Sequence, residues 1–215
     1  MSVLVRPYDL PDAALFSGRG DGMLVWQPDE TVIVLGQSNT PEKSLLIENI
    51  VTDNIPVTRR PTGGEAVVLT PAMAAITVAR EFGVMTSSKD FFRMVNGTIL
   101  DVLADLGVKS YGTMGISDIT LDSRKILGSS MHRKERRLVY HAVLNISEDP
   151  EVLERYLKHP VREPDYRQKR KHSEFVTSLH NEGYNIDYKD FAAILETYSG
   201  FIIPVNNYST VYDHQ

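Results

Sequence analysis

The stretch Val57-Thr-Arg-Arg-Pro-Thr-Gly-Gly-Glu-Ala-Val-Val-Leu69 is the most informative part of the chain, because two arginines lead into a glycine pair and then into a β-branched apolar run. This pattern predicts a strand, a loop and a second strand. Glycine has no Cβ, so the loop backbone can approach a ligand and point its N–H groups at a phosphate or carboxylate. Arg59 and Arg60 add forked, charged donors for the same oxygens. The alternative is a tight hairpin whose arginines lie in solvent.

A second stretch favours the anion site, namely Gly115-Ile-Ser-Asp-Ile-Thr-Leu-Asp-Ser-Arg-Lys-Ile-Leu-Gly-Ser-Ser130. It predicts strands over 116–122 and 125–131 around a turn at Asp122 and Ser123. With period two, Lys125, Leu127 and Ser129 share one face of the returning strand. If that face is interior, the ammonium group of Lys125 needs an anionic partner, because an unpaired buried charge is too costly. The alternative is a solvated lysine beside Arg124.

Together the two stretches resemble the catalytic domain of the lipoate-protein ligase family, which is related to biotin-protein ligases and octanoyltransferases. The first is similar to the family pattern Arg-Arg-x-Ser/Thr-Gly-Gly-Gly-Ala-Val, and the second to Asn-Asp-x-x-x-x-x-x-Lys-Ile-x-Gly-Ser-Ala. Upstream, 31–39 is similar to the family's strand and Gly-x-x-Asn turn, so the resemblance covers roughly residues 22 to 180. Three positions depart from the family: Glu65 replaces a third glycine, Leu69-Thr70 replaces an aromatic-His pair, and Ser117 replaces asparagine.

The resemblance implies activation of lipoate, or octanoate, with ATP and Mg²⁺ to an acyl-adenylate, followed by acyl transfer to a lysine of a lipoyl domain. It implies that Lys125 is the catalytic residue, bridging the α-phosphate and the acyl oxygen. It implies that Asp118 binds Mg²⁺ or a nucleotide group. The remaining ligand-binding residues that it implies are Arg59, Arg60, Gly63, Gly64, Glu65, Ala66, Val67, Val68, Gly128 and His141. For His141, the alternative is a hydrogen-bonded core histidine.

The chain contains no cysteine. Octanoyltransferases of the resembled fold pass the acyl group through a cysteine thioester, and a thiolate is the nucleophile for that route. The resemblance therefore leaves three hypotheses: a ligase that works through an adenylate, a partner-dependent or transfer-only subunit of such a ligase, or a non-catalytic binder of lipoylated protein.

The chain has 215 residues, 42% of them hydrophobic, which predicts one domain over 1–215 without an accessory C-terminal domain. Residues 185–215 predict one helix and a short extended end, so a separate accessory subunit is a further hypothesis. No apolar run approaches the ~18 residues of a membrane span, and the N-terminus has no signal-peptide pattern. We expect a cytoplasmic location and no membrane contact.

The other elements complete an α+β fold with a mainly antiparallel sheet and flanking helices, as the resemblance also implies. Residues 23–26 and 31–35 predict a strand pair around Pro28 and Asp29, and 42–51 predict a short helix. Residues 75–79 and 138–146 predict further strands. A longer helix is predicted from Ser88, as its N-cap, to Gly107, because apolar residues recur there at helical spacing.

Charge is unevenly distributed, since the net charge is −5 but 13 of the 23 Lys and Arg residues lie between Arg124 and Lys171. The densest basic segments are 132–137 and 167–172. A basic surface on an acidic protein predicts an acidic partner. The resemblance implies that this partner is an acidic lipoyl domain. No nucleic-acid reader motif accompanies the charge, so we expect no nucleic-acid partner.

Overall fold

The computed structural model describes residues 2–82, 87–115 and 117–202, and for 201 and 202 only the backbone. Within these ranges the strands are β1 (Val5–Pro7), β2 (Gly22–Trp26), β3 (Val32–Leu35), β4 (Val57–Arg59), β5 (Val67–Leu69), β6 (Met73–Glu81), β7 (Tyr111–Met114), β8 (Asp118–Leu121), β9 (Arg124–Lys134) and β10 (Arg137–Asn145). The helices are α1 (Ala13–Ser17), α2 (Pro41–Ser44), α3 (Ile47–Thr52), α4 (Ser88–Asp105), α5 (Glu151–Tyr156), α6 (His172–Phe175), α7 (Tyr188–Thr197) and α8 (Ser199–Ile202). A 3₁₀ turn spans Asp165–Arg167.

The larger sheet is antiparallel throughout and has the order β2-β6-β10-β9-β8-β7. Side chains along each strand point alternately to the two faces of the sheet. In β10, Leu138, Tyr140 and Leu144 face a buried core shared with α4 and α7. The Tyr140 hydroxyl in this core donates a 2.7 Å hydrogen bond to Asn96 of α4. The predicted α+β fold, mainly antiparallel with flanking helices, is therefore confirmed.

Helix α4 forms because its apolar residues fall on one face, where Phe91, Val95 and Ile99 are buried. Its N-cap is Ser87, whose side chain accepts a hydrogen bond from the backbone N–H of Asp90, so the prediction of Ser88 as the cap was wrong by one residue. Gly107, with φ of +82°, follows the helix as predicted.

The smaller sheet has the order β1-β4-β3-β5, in which β4 runs parallel to both neighbours and β5 antiparallel to β3. All four residues of β3 are buried. Ile33 and Leu35 face a cluster that includes α5, whereas Val34 faces the larger sheet. The predicted pairing of β2 with β3 is wrong, since β2 pairs with β6 and β3 pairs with β4 and β5. A strand that is apolar on both faces must be covered on both sides, and β3 meets this need between α5 and the larger sheet. The turn after β2 instead carries the chain from one sheet to the other.

A β-bulge in β9 changes which side chains share a face. Ile119 pairs with Leu127 and Thr120 pairs with Lys125, so Ile126 is an extra residue between them. The bulge breaks the alternation, and Leu127 lies in the core while Lys125 lies on the opposite face with Gly128. The prediction that Lys125, Leu127 and Ser129 share one face is therefore wrong.

Two other expectations also changed. The helix predicted over 42–51 is split into α2 and α3, because Leu45 leaves helical geometry to bridge Leu157 in the core. After residue 185 the structure has two helices, α7 and α8, in place of one, and the predicted extended end lies beyond the described residues, as does Ile116. In the described part of the chain, no helix is both long and apolar enough to cross a bilayer.

Candidate active site

The glycine loop lies between β4 and β5 and is held in shape by Arg60, which is only 3% exposed. Arg60 donates from Nε to the Thr62 hydroxyl at 2.8 Å, and from Nη2 to the carbonyls of Gly63 at 2.8 Å and Glu65 at 2.9 Å. Burial lowers the pKa of Arg60 to about 10, so its guanidinium remains charged at neutral pH. Much of its hydrogen-bonding capacity therefore goes into fixing the loop backbone.

The turn after β3 packs against the glycine loop. The Gly36 N–H donates a 2.8 Å hydrogen bond to the Asn39 side chain, and a Cβ on Gly36 would lie 2.0 Å from the carbonyl oxygen of Gly64. Gly64 itself has φ of +94°, which favours glycine. Arg59 donates from Nη1 to the carbonyls of Gly36 at 3.1 Å and Asn39 at 2.7 Å. The two backbones are thus packed at a distance that side chains would not permit.

An ion pair forms the second part of the site. The ammonium of Lys125 lies 2.9 Å from Oδ1 of Asp118, which also accepts a 3.2 Å hydrogen bond from the Ser117 hydroxyl. The hydroxyl of Tyr166 donates to Oδ2 of Asp118 at 2.6 Å. Asp118 is 5% exposed, whereas the Lys125 side chain is 27% exposed. The lysine therefore has the anionic partner that its position requires, and solvent still reaches it.

Gly128 makes room for that lysine. A Cβ at this position would lie 2.6 Å from both Cε and Nζ of Lys125, so the lysine side chain lies directly across the glycine. Because the bulge places these two residues on one face, the Lys-Ile-Leu-Gly sequence positions the ammonium over a bare stretch of backbone.

The segment after α5 lies against the ion pair. The ring of Tyr166 packs against Phe175 with their centres 5.1 Å apart, and the guanidinium of Arg167 lies 4.8 Å from the Phe175 ring centre. The backbone N–H of Thr177 donates to the Lys125 carbonyl at 2.9 Å. Burial and the nearby Asp118 carboxylate raise the pKa of Tyr166, so its hydroxyl stays protonated. Tyr166 was not among the predicted site residues.

One cavity of about 340 Å³ brings these parts together. The predicted site residues that line it are Arg60, Gly64, Glu65, Ala66, Val67, Val68, Asp118, Lys125, Gly128 and His141. Arg59 and Gly63 do not line it, since Arg59 bonds the turn at Gly36 and the Gly63 carbonyl accepts from Arg60. Six Lys or Arg but only two acidic residues line the cavity, so it attracts anions.

The cavity also has an apolar part. Its wall there is made of Val68, Met73, Val143, Leu153 and Leu157. Only Val68 was predicted for the site. The helical spacing of Leu153 and Leu157 was a signal for a buried helix face, but no local pattern in the sequence shows which strand that face meets.

His141 lines the cavity, with its ring edge-to-face against Phe16 at 5.6 Å. Burial and the neighbouring Arg60 charge lower its pKa to about 3, so the imidazole is uncharged at neutral pH. No hydrogen bond to this ring occurs within the residues that the structure describes. The alternative of a hydrogen-bonded core histidine therefore has no support in the described contacts.

The carboxylates of Glu65 and Asp118 are the acidic groups that line the cavity and are potential metal ligands. No cluster of three or more His, Cys, Asp or Glu side chains suited to a metal occurs in 2–82, 87–115 and 117–202. Both oxygens of Asp118 already have donors, and Oε2 of Glu65 lies 3.5 Å from the Asn39 amide. These two carboxylates supply fewer oxygen ligands than a Mg²⁺ site built by the protein alone would need.

The fold and the cavity define a class of protein: an α+β domain that presents a glycine loop from one sheet and a lysine from the other to a cavity with cationic and apolar parts. Residues 13–199 match the family model of the lipoyl protein ligase A/B catalytic domain. The chain therefore belongs to this family, as the sequence motifs predicted.

Known proteins agree with this assignment. Lipoate-protein ligase A of Psychrobacter cryohalolentis is 26% identical over 142 residues, which is 65% of this chain and 40% of that protein, so the chain spans less than half its length. The bi-partite lipoate protein ligase of Thermoplasma acidophilum, described with its E2 lipoyl domain, has a TM-score of 0.75 at 17% identity, covering 94% of this chain and 84% of that one. A lipoate-protein ligase A bound with ATP has a TM-score of 0.73 at 19% identity, covering 93% and 83%. These two structures show a shared fold.

Proposed function

We propose that this domain is a lipoate-protein ligase that forms an acyl-adenylate from lipoate or octanoate and ATP, and then transfers the acyl group to a lysine of a lipoyl domain. The observation that carries the proposal is the single cavity in which Lys125 and the glycine loop meet an apolar wall. Family membership and the ATP complex of a protein with the same fold support it.

In the adenylation step, an oxygen of the acyl carboxylate attacks the α-phosphorus of ATP, and pyrophosphate leaves. Both reactants are anionic, so the barrier falls when fixed positive charge and N–H donors surround them. The backbone between Gly64 and Val68 lines the cavity and is the proposed phosphate cradle, and Arg60 keeps it in shape. Lys125 would still lie across Gly128 while its ammonium turns from Asp118 to the α-phosphate and acyl oxygen.

In the transfer step, the uncharged amine of the acceptor lysine attacks the acyl carbon, AMP leaves with the bonding electron pair, and the amine proton passes to solvent. The Lys125 ammonium would stabilise the developing oxyanion and the leaving phosphate. When Lys125 turns towards the ligand, Asp118 keeps the donors Ser117 and Tyr166, so its carboxylate does not become a bare buried charge. His141 is neutral and would contribute packing near the acyl group, not charge.

The apolar wall of Val68, Met73, Val143, Leu153 and Leu157 is the proposed slot for the acyl chain. Burying a chain of several methylenes contributes about 0.8 kcal/mol per CH₂. An apolar slot discriminates weakly between chains of similar length, so lipoate and octanoate both fit the proposal. Mg²⁺ would neutralise charge on ATP phosphates and take Asp118 or Glu65 as its protein ligand, and no step above depends on it.

The test uses purified protein, an apo lipoyl domain, lipoate, Mg²⁺ and ATP, with acylation read by mass spectrometry. Lys125→Ala is expected to abolish product, and full activity in this variant would contradict the role given to Lys125. Lys109→Ala is the matched control, because this exposed lysine lies outside the cavity.

A second candidate is a transfer-only subunit that accepts preformed acyl-adenylate. The bi-partite ligase with the same fold favours it. It predicts no product from lipoate and ATP, but product from synthetic lipoyl-adenylate and the same acceptor. Absence of product in both reactions would instead favour a non-catalytic binder. No octanoyl-thioester route can run through this chain alone, because it contains no cysteine.

A further inference from the structure

The mouth of the cavity carries exposed side chains to which the proposed reaction steps assign no role. Lys43 of α2 and Lys158, Val161 and Arg162 of the loop after α5 all line the cavity and are exposed. We call these four residues the cationic rim. Val161, which is 81% exposed, is the apolar member of the rim.

Hydrogen bonds hold the loop that carries most of the rim against α2. The backbone N–H of Lys158 donates to the Ser44 carbonyl at 2.9 Å, and the Lys158 ammonium donates to the Glu42 carbonyl at 2.6 Å. Next to these contacts, Leu45 and Leu157 form a β-bridge and are buried. The helix α2 and the loop are thus tied together, so the surface is formed before any partner arrives.

Within the part of the chain that the structure describes, the cations of the rim form no ion pairs. Among the described residues, no carboxylate lies within ion-pair distance of Lys43, Lys158 or Arg162. The nearby Glu163 is taken by His159 at 2.9 Å and by Arg167 at 3.4 Å. An exposed apolar residue bordered by unpaired cations is typical of a surface that binds a partner of opposite charge.

We infer that the cationic rim docks the acceptor protein, which presents carboxylates and a small apolar contact for Val161 beside its target lysine. This inference rests on the proposed function. A lysine that enters through the rim passes directly to the cavity that contains Lys125.

The basic segment 132–137 fits this role poorly, although it is denser in charge. It forms the far end of the β9–β10 hairpin, and Lys134 is nine residues from Lys125 along β9. At 3.3 Å per residue, this is a distance of about 30 Å. An acceptor bound there would have to span that distance to reach the ammonium.

The test compares Arg162→Glu with Arg133→Glu, a matched charge reversal on the exposed hairpin. Transfer from synthetic lipoyl-adenylate to an apo lipoyl domain is measured at low and high salt. For Arg162→Glu, we expect the KM for the acceptor to rise about tenfold with kcat within twofold, and the salt dependence to weaken. Arg133→Glu is expected to match the wild type. An unchanged KM in Arg162→Glu, or an equal rise in Arg133→Glu, would overturn the inference.

Binding of a non-hydrolysable lipoyl-adenylate analogue, measured by calorimetry, separates this inference from the proposed function. A wild-type protein that neither binds the analogue nor modifies the acceptor overturns both. Normal analogue binding with an unchanged acceptor KM in Arg162→Glu overturns the docking surface alone. Loss of duplex DNA binding in Arg162→Glu without any change in acceptor KM would also overturn it, in favour of a nucleic-acid partner.

Discussion

Substitution of Gly128 by alanine should displace the Lys125 ammonium while leaving the fold intact. The new Cβ would lie 2.6 Å from Cε and Nζ of Lys125. Comfortable carbon contacts begin at about 3.5 Å, so the end of the lysine must move by about 1 Å. Only a flexible side chain has to shift, because no backbone atom is that close to the new Cβ.

A catalytic group misplaced by about 1 Å can cost about 100-fold in rate, which is about 2.7 kcal/mol of transition-state stabilisation. We therefore expect Gly128→Ala to slow transfer from lipoyl-adenylate about 100-fold. Glycine weakens strands by about 0.5–1 kcal/mol relative to alanine, so the free energy of unfolding should change by no more than about 1 kcal/mol.

The assay is single-turnover transfer to the acceptor domain, with urea unfolding of the same protein samples. Gly112→Ala is the matched control, because Gly112 lies in β7 of the same sheet and its Cβ would meet nothing within 4 Å. Transfer by Gly128→Ala within twofold of the wild type would contradict this steric effect, because the lysine would then not act from its place across Gly128.

Three further predictions concern the parts around the lysine. Gly36→Ala places a Cβ 2.0 Å from the Gly64 carbonyl, so we expect a loss of about 2–3 kcal/mol in urea unfolding and weaker binding of the adenylate analogue. Because the pKa of His141 is about 3 when folded and 6.5 when unfolded, the unfolded chain binds the extra proton and stability falls as the pH drops from 6.5 towards 3. Between pH 7 and pH 5, the free energy of unfolding of His141→Phe should therefore fall by about 2 kcal/mol less than that of the wild type. Tyr166→Phe keeps the ring but loses the 2.6 Å bond to Asp118, so kcat should fall about tenfold at unchanged acceptor KM.

Two of these predictions have a matched control in the chain. For Gly36→Ala it is Gly63→Ala in the adjacent loop, where a Cβ meets nothing within 4 Å, and equal destabilisation of the two variants would contradict the steric account. For Tyr166→Phe it is Tyr184→Phe, whose hydroxyl bonds only the Lys109 backbone among the described contacts. If His141→Phe keeps the wild-type dependence of stability on pH, this dependence arises from a group other than His141.

The site was predictable where a residue type is fixed by local chemistry. Arg60, Gly64 and Lys125, which line the cavity, were singled out because glycines beside arginines, and a lysine among apolar residues, suit the binding of an anion. Their mutual placement depended on the family resemblance, since no periodicity shows that β4, β5 and β9 meet at one cavity.

The failures have local physical causes. The bulge at Ile126 has no clear sequence signal, so strict alternation put Lys125 beside Leu127. The sheet membership of β3 could not be found from its neighbour β2, because both are apolar strands and sheet order depends on long-range packing. The rim residue Val161 was missed because exposure is a property of the folded surface and not of the local sequence.

The separate origins of the two halves of the cavity have a consequence for how activity depends on folding. The loop belongs to the smaller sheet and Lys125 to the larger, and the sheets meet through an apolar cluster around Trp26, Val34 and Leu69. A transient separation of the two sheets would leave most of the chain folded but would take the loop and Lys125 out of a common cavity. By linkage, a ligand that bridges both halves opposes this separation, so amide hydrogen exchange in β3 should slow as the site fills.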